Sequence, residues 1–156
     1  MLRGSFPAKI DEKSRLKIPR DFLKLIEEKY GRELFVTSLV GDCVRLYPMP
    51  VWVELERHLG SQGLMRDPST SRFFQHINYY GQAAEIDNQG RVLIHPRLRE
   101  KADMAGEVDV VGQLDYLEVW NLDRLKAKLE AEPFTEEDAW QLVSQRRQRP
   151  DNGPDR

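Results

Sequence analysis

A single cysteine, Cys43, in a chain of 156 residues excludes an intrachain disulfide framework and fits a reducing compartment. No His or Asp is spaced to activate it, so Cys43 reads as a small core residue rather than a nucleophile. No run of about 18 apolar residues occurs, so no membrane span is expected. The N-terminus also lacks the apolar core of a signal peptide. The default expectation is a soluble cytoplasmic protein. Histidine is scarce: His58, His76 and His95 lack metal-ligand spacing, and no cysteine pair accompanies them. A Gly-x-x-x-x-Gly-Lys phosphate loop is missing. So is the Asp-Thr/Ser-Gly of an aspartic dyad, because Asp11 is followed by Glu12 and Asp87 by Asn88. These gaps remove the constellations that catalysis needs, and no enzyme, metal or cofactor is expected.

Charge is nearly balanced at −2, which argues mildly against nucleic acid. Its distribution argues the other way. Residues 1–32 hold nine Lys and Arg against five Asp and Glu, a local +4 that leaves −6 for the remainder. Such asymmetry is the footprint of a surface that meets an anionic partner, or simply of a solvated basic segment.

What the chain does contain, twice, is one stretch. Ala8-Lys9-Ile10-Asp11-Glu12-Lys13-Ser14-Arg15-Leu16-Lys17-Ile18-Pro19 is answered by Ala84-Glu85-Ile86-Asp87-Asn88-Gln89-Gly90-Arg91-Val92-Leu93-Ile94-His95-Pro96. Asp87 lies 76 residues after Asp11, and Arg91 lies 76 after Arg15. Farther on, Glu33-Leu34-Phe35-Val36 matches Glu107-Val108-Asp109-Val110, and Arg45-Leu46-Tyr47 matches Glu118-Val119-Trp120. Two copies are too few for a solenoid and suit two similar halves sharing one core. Either half alone, at roughly 50 residues, would be marginal.

Each half reads as strand, tight turn, strand, short helix, strand, turn, strand. In the first, Phe6, Ala8 and Ile10 line one face of a strand, and Pro7 marks it as an edge. Asp11 to Ser14 is a turn, and residues 15–18 are read as the partner strand of a hairpin. Leu16 and Ile18 point one way there, with Lys13, Arg15 and Lys17 the other. Pro19 opens a helix with an apolar stripe of Phe22, Leu25 and Ile26. Pro50 starts another with Trp52, Leu55 and Leu59. Residues 60–65 read as a linker. Asp67-Pro68 starts a connecting helix with a stripe of Phe73, Phe74, Ile77 and Tyr80. After the second half, Asn121 caps a helix, and Thr135 with Asp138 forms a capping box for a last one carrying Trp140. Residues 145–156, rich in Arg, Pro and Asp, read as a disordered tail.

The Asp and Arg of each stretch admit two compatible roles. As turn pairs, Asp11–Arg15 and Asp87–Arg91 are structural. As a reader of DNA, Arg15 presents a guanidinium fork suited to phosphate or a guanine edge. The second stretch has Gln89, Arg91 and Leu93 where the first has Lys13, Arg15 and Lys17. The first half therefore reads as the DNA face and the second as scaffold, with Arg91 mainly structural. Lys9 and Arg3 are further candidate cations on the DNA face.

Asp-x-x-Gly-Arg, an aliphatic strand and a Pro-started helix resemble the SpoVT-AbrB swapped-hairpin family of DNA-binding domains. Ser14 stands where that family usually has Gly. Two such halves over residues 1 to 130, opening Met-Leu-Arg-Gly and carrying Val111-Gly112-Gln113 and Glu118-Val119-Trp120 late, resemble the MraZ family. The resemblance implies an α+β fold, an intertwined swapped-hairpin β-barrel with flanking helices. The expected parts are a first SpoVT-AbrB repeat at 5–50, connecting helices at 51–80, a second repeat at 81–124, and C-terminal helices at 125–144. It also implies a sequence-specific transcriptional regulator associated with the nucleoid. Such a protein forms a ring-shaped homo-oligomer on double-stranded DNA, at repeated sites in the promoter of the division and cell-wall gene cluster. The alternatives are an antitoxin-like module whose tail wraps a partner protein, and a purely structural assembly protein.

Overall fold

In the computed structural model, which describes residues 1–61 and 67–148, short alternating runs become strands and amphipathic runs become helices. The order is β1 (Ser5–Lys9), β2 (Arg15–Lys17), α1 (Arg20–Lys29), β3 (Glu33–Thr37), β4 (Val44–Pro48), α2 (Met49–Gly60), α3 (Pro68–Tyr80), β5 (Gln82–Glu85), β6 (Arg91–Leu93), α4 (Pro96–Lys101), β7 (Glu107–Gly112), β8 (Leu117–Asn121), α5 (Leu122–Ala131) and α6 (Glu136–Gln148). Met1–Arg124 is one compact unit and the chain from Leu125 is another.

The fold is mixed α+β on antiparallel strands. Six of them form a sheet in the order β1-β7-β8-β4-β3-β5, and β2 pairs with β6 as a two-stranded ribbon. The larger sheet is open, with β1 and β5 as its edges, and does not close into the expected barrel. Pro7 is tolerated because β1 is an edge strand.

The pairing corrects one expectation. β1 and β2 are not hairpin partners: a lone Ile10↔Leu16 bridge joins them beside the turn. β1 instead runs along β7, with Phe6 opposite Val110, and β3 runs along β5. The physical reason is burial. β2 has only three residues, and pairing with β6 sets Leu16 opposite Val92 so that both are sealed inward. Strands from the first half of the chain are thereby knitted to strands from the second.

The core beneath combines Leu16, Ile18, Val92 and Ile94 with Phe22 and Ile26 of α1 and with the inward residues of β3, β4, β7 and β8. Phe22 meets Phe6 edge-on at 5.2 Å between ring centres. Leu25, expected in the same stripe, is exposed, and Leu23 packs on the core in its place. A second cluster joins Phe35, Tyr47 and Trp52 to Ile77 of α3, with Phe73 and Phe74 partly buried against it. Cys43 is buried, and burial pushes its thiol pKa well up, as befits a core residue.

Caps act where the sequence places them. The Asp67 carboxylate accepts from Ser69 N at 2.9 Å. Asn121 Oδ1 accepts from Asp123 N and Arg124 N. Thr135 and Asp138 bond reciprocally, each side chain accepting from the other's backbone N–H. Helix α6 continues through Gln148, beyond the expected start of the tail at 145. The rest of that tail and most of the 60–65 linker lie outside the described residues.

Candidate nucleic-acid interface

Asp11 builds the first turn with its own carboxylate. Oδ1 accepts from Lys13 N and Arg15 N, both at 2.9 Å, and Oδ2 accepts from Arg15 Nε at 2.9 Å. Asp is favoured because its short side chain reaches the backbone two residues on. Asp87 repeats the pattern, accepting from Gln89 N at 2.8 Å and Arg91 N at 2.9 Å. The backbone bonds agree as well. Asp11 N donates to Arg15 O and Asp87 N to Arg91 O, both at 2.9 Å, while Ser14 N and Gly90 N return to the Asp carbonyls, both at 3.0 Å.

These donors favour the ionised Asp. The Arg15 N–H foremost holds the Asp11 carboxyl below the usual range; desolvation pulls the other way, and the Arg15 side chain and the Lys13 N–H add to the lowering. The N–H of Arg91 leads in the same way at Asp87. A lowered folded pKa means that the turns gain from charge above the ordinary aspartate value and lose it as pH falls through the lowered one. Carboxyl carbon shifts followed by NMR should therefore titrate with midpoints below the ordinary aspartate value at both residues. Midpoints at or above that value would mean that the carboxylates do not hold the turns.

The turns deliver β2 and β6 side by side. Arg15 lies opposite Leu93, Leu16 opposite Val92, and Lys17 opposite Arg91. Ile94 N donates to Ser14 O at 2.8 Å and Ile18 N to Gly90 O at 3.0 Å, so each strand also grips the other's turn. Successive strand residues face opposite sides. With Leu16 and Val92 inward, Arg15, Lys17, Arg91 and Leu93 share the outer face of the ribbon. The face thus draws two residues from each stretch.

Its charges are held unequally. Arg15 is tied to Asp11 by a 2.9 Å hydrogen bond. The Arg91 guanidinium sits looser, 3.4 Å from Asp87 and 3.8 Å from Asp11, so the Asp11 carboxylate lies between two arginines. Of the other expected cations, Lys13 is exposed in the adjoining turn. Lys9 is exposed on β1 opposite Glu107, in the larger sheet. Arg3 follows Leu2, which is bridged to Leu114. Neither Lys9 nor Arg3 belongs to the ribbon.

Sequence reading missed the arginines that brace the turns. Arg32, after α1, donates from Nη2 to Asp87 O and from Nη1 to Asn88 Oδ1 at 3.3 Å. Arg99, on α4, donates from Nη1 to Ser14 Oγ at 3.1 Å and to Asp11 O at 3.5 Å, while its Nε donates to Met104 O at 2.8 Å. Each crosses to the turn of the other stretch, and nothing local in sequence signals that.

Chemically, this is a face that carries three cations beside one leucine. A two-stranded β-ribbon is a shape that the DNA major groove admits. Among the described residues, no group of three His, Cys, Asp or Glu is placed to hold a metal. No described helix is long and apolar enough to cross a membrane.

Residues 81–144 match the family described as "MraZ protein, putative antitoxin-like". A "Transcriptional regulator MraZ" from Acidobacterium capsulatum is 44% identical over 143 residues, covering 92% of this chain and 97% of its own. One from Koribacter versatilis is 46% identical over 139 residues, covering 88% and 94%. A third, from Syntrophobacter fumaroxidans, is 30% identical over 141 residues, covering 90% of each.

Proposed function

The chain belongs to the MraZ family of transcriptional regulators, and from that premise we propose that it binds DNA sequence-specifically through the outer face of the β2–β6 ribbon. The single observation that carries the reading is the register that sets Arg15, Lys17 and Arg91 on one outward face over a sealed Leu16–Val92 pair. Arg15 reads a guanine edge, Lys13 and Lys17 meet phosphates, and Lys9 and Arg3 add attraction from outside the ribbon. The exchange of strands between halves, β1 with β7 and β5 with β3, supports a swapped-hairpin relationship. The target is repeated sites in the promoter of the division and cell-wall gene cluster, and the protein acts in the cytoplasm on the nucleoid.

A gel-shift with the protein's own upstream DNA tests the reading. Binding is expected, and Lys13→Ala and Lys17→Ala should each weaken all sequences similarly. In each bound subunit, every phosphate that a variant no longer neutralises should flatten the slope of log affinity against log salt by about 0.9. An unchanged slope in both variants would take the lysines off the DNA.

One small ribbon per chain covers little DNA, and a homo-oligomeric ring would raise apparent affinity by presenting several at once. Exposed Leu129, Phe134, Trp140 and Leu142 on and between α5 and α6 offer apolar surface for assembly. Light scattering should show an oligomer at micromolar concentration, and a monomer there would remove the ring.

A further inference from the structure

The spacing that aligns the two Asp-x-x-x-Arg stretches extends to a pair of contacts. Gly90 lies 76 residues after Ser14, and Arg99 lies 76 after Leu23. Each of these helix residues touches the turn of the other stretch. Leu23 on α1 lies over Gly90, so close that a Cβ there would sit 2.6 Å from its Cδ2. Arg99 on α4 reaches Ser14, donating to its Oγ at 3.1 Å. The two turn residues share the left-handed backbone, with φ of +61° at Ser14 and +75° at Gly90. A side chain there costs conformational energy, which glycine avoids. At Gly90 the neighbour is apolar, and its Cδ2 would have to shift to admit one. At Ser14 the neighbour is a cation whose hydrogen bond offsets the strain. Ser14–Arg99 is therefore the polar counterpart of Gly90–Leu23.

We propose that Arg99 is a positioning residue for Arg15: by holding Ser14 Oγ and Asp11 O it fixes the turn that aims the Arg15 guanidinium, and positions 14 and 99 can be exchanged only as a pair. The proposal rests on the reading of the ribbon as the DNA face. Asp11 connects the two arginines, because the residue whose carbonyl Arg99 grips also binds Arg15 through its carboxylate. Arg99 is itself anchored on Met104 O, so its reach is preset.

The test is a double-mutant cycle in the full-length protein, read by melting temperature and by the salt dependence of binding to its upstream DNA. Arg99→Leu alone should lower both stability and affinity, the affinity by about tenfold, as fits removal of a charged hydrogen bond. Part of the effect is steric, because a leucine lying as Leu23 does would crowd the Ser14 Cβ. Adding Ser14→Gly recreates the apolar packing of the other turn. S14G/R99L should regain the melting temperature and affinity to within about twofold, with the wild-type salt slope. Additive effects in the cycle would overturn the pairing. Recovered stability with a shallower salt slope and no recovered affinity would make Arg99 a DNA contact and overturn its positioning role. Wild-type protein that fails to bind the upstream DNA at all would remove the DNA-face reading, and the positioning role with it. Non-additive melting temperatures would still uphold the pairing in that case.

Discussion

Arg15→Ala should cause the greatest loss of DNA binding among single changes on the ribbon, about 1–3 kcal/mol per contacting subunit with relaxed specificity. The cause is geometric. Arg15 Nε is held on Asp11 Oδ2 at 2.9 Å, which fixes the plane of the guanidinium and leaves its far nitrogens for a bidentate contact. Arg15→Lys should restore the charge, and with it the salt slope, but not the discrimination, because an ammonium cannot fork. Arg91→Ala is the necessary comparison. Arg91 occupies the same outer face opposite Lys17 and bridges toward both aspartates. Its removal should lower the melting temperature by a few degrees and flatten the salt slope, while base discrimination persists. Melting and binding measured together decide the matter. If Arg15→Ala melts early, yet its folded fraction binds the upstream DNA with wild-type affinity and selectivity, Arg15 is only half of a turn pair with Asp11.

That comparison also marks where sequence reading stops. The turns were legible because their chemistry is local: Asp11 and Asp87 bond to backbone N–H groups within four residues. The caps at Asp67, Asn121 and Thr135 were legible for the same reason. Alternation told which residues of 15–18 face inward. It could not say which strand lies alongside, because a period of two is indifferent to its partner. The first stretch therefore looked like a hairpin, although β1 pairs with β7 and β2 with β6. In sequence, where its neighbours Gln89 and Leu93 are uncharged, Arg91 reads mainly as structural. In space its neighbours are Lys17 and Asp11. Arg32 and Arg99 carry no local signal, and only tertiary structure brings them across to the turns. The open edges of the six-stranded sheet were hidden for a similar reason, since closure depends on which strands meet.

Leu16→Ala should destabilise the protein by about 2–5 kcal/mol, and Leu93→Ala by no more than about 0.5 kcal/mol. Both remove the same atoms from the same two-stranded ribbon. Leu16 is fully buried, facing the core opposite Val92, whereas Leu93 is 46% exposed on the outer face opposite Arg15. Truncating Leu16 leaves a cavity beneath the strand that carries Arg15 and Lys17, and rigid packing lets it close only in part. In a chain of this length the melting temperature should fall by roughly 5–15 °C for Leu16→Ala. Slipping the strand by one residue would not relieve the damage, because it would turn Arg15 and Lys17 into the core. Below its melting temperature Leu16→Ala should still bind DNA with the wild-type salt slope, since every cation remains, but more weakly, because the ribbon is less firmly backed. Equal melting temperatures for the two variants would mean that β2 does not present its faces as described, and the assignment of Arg15 and Lys17 to one outer surface would fall with it.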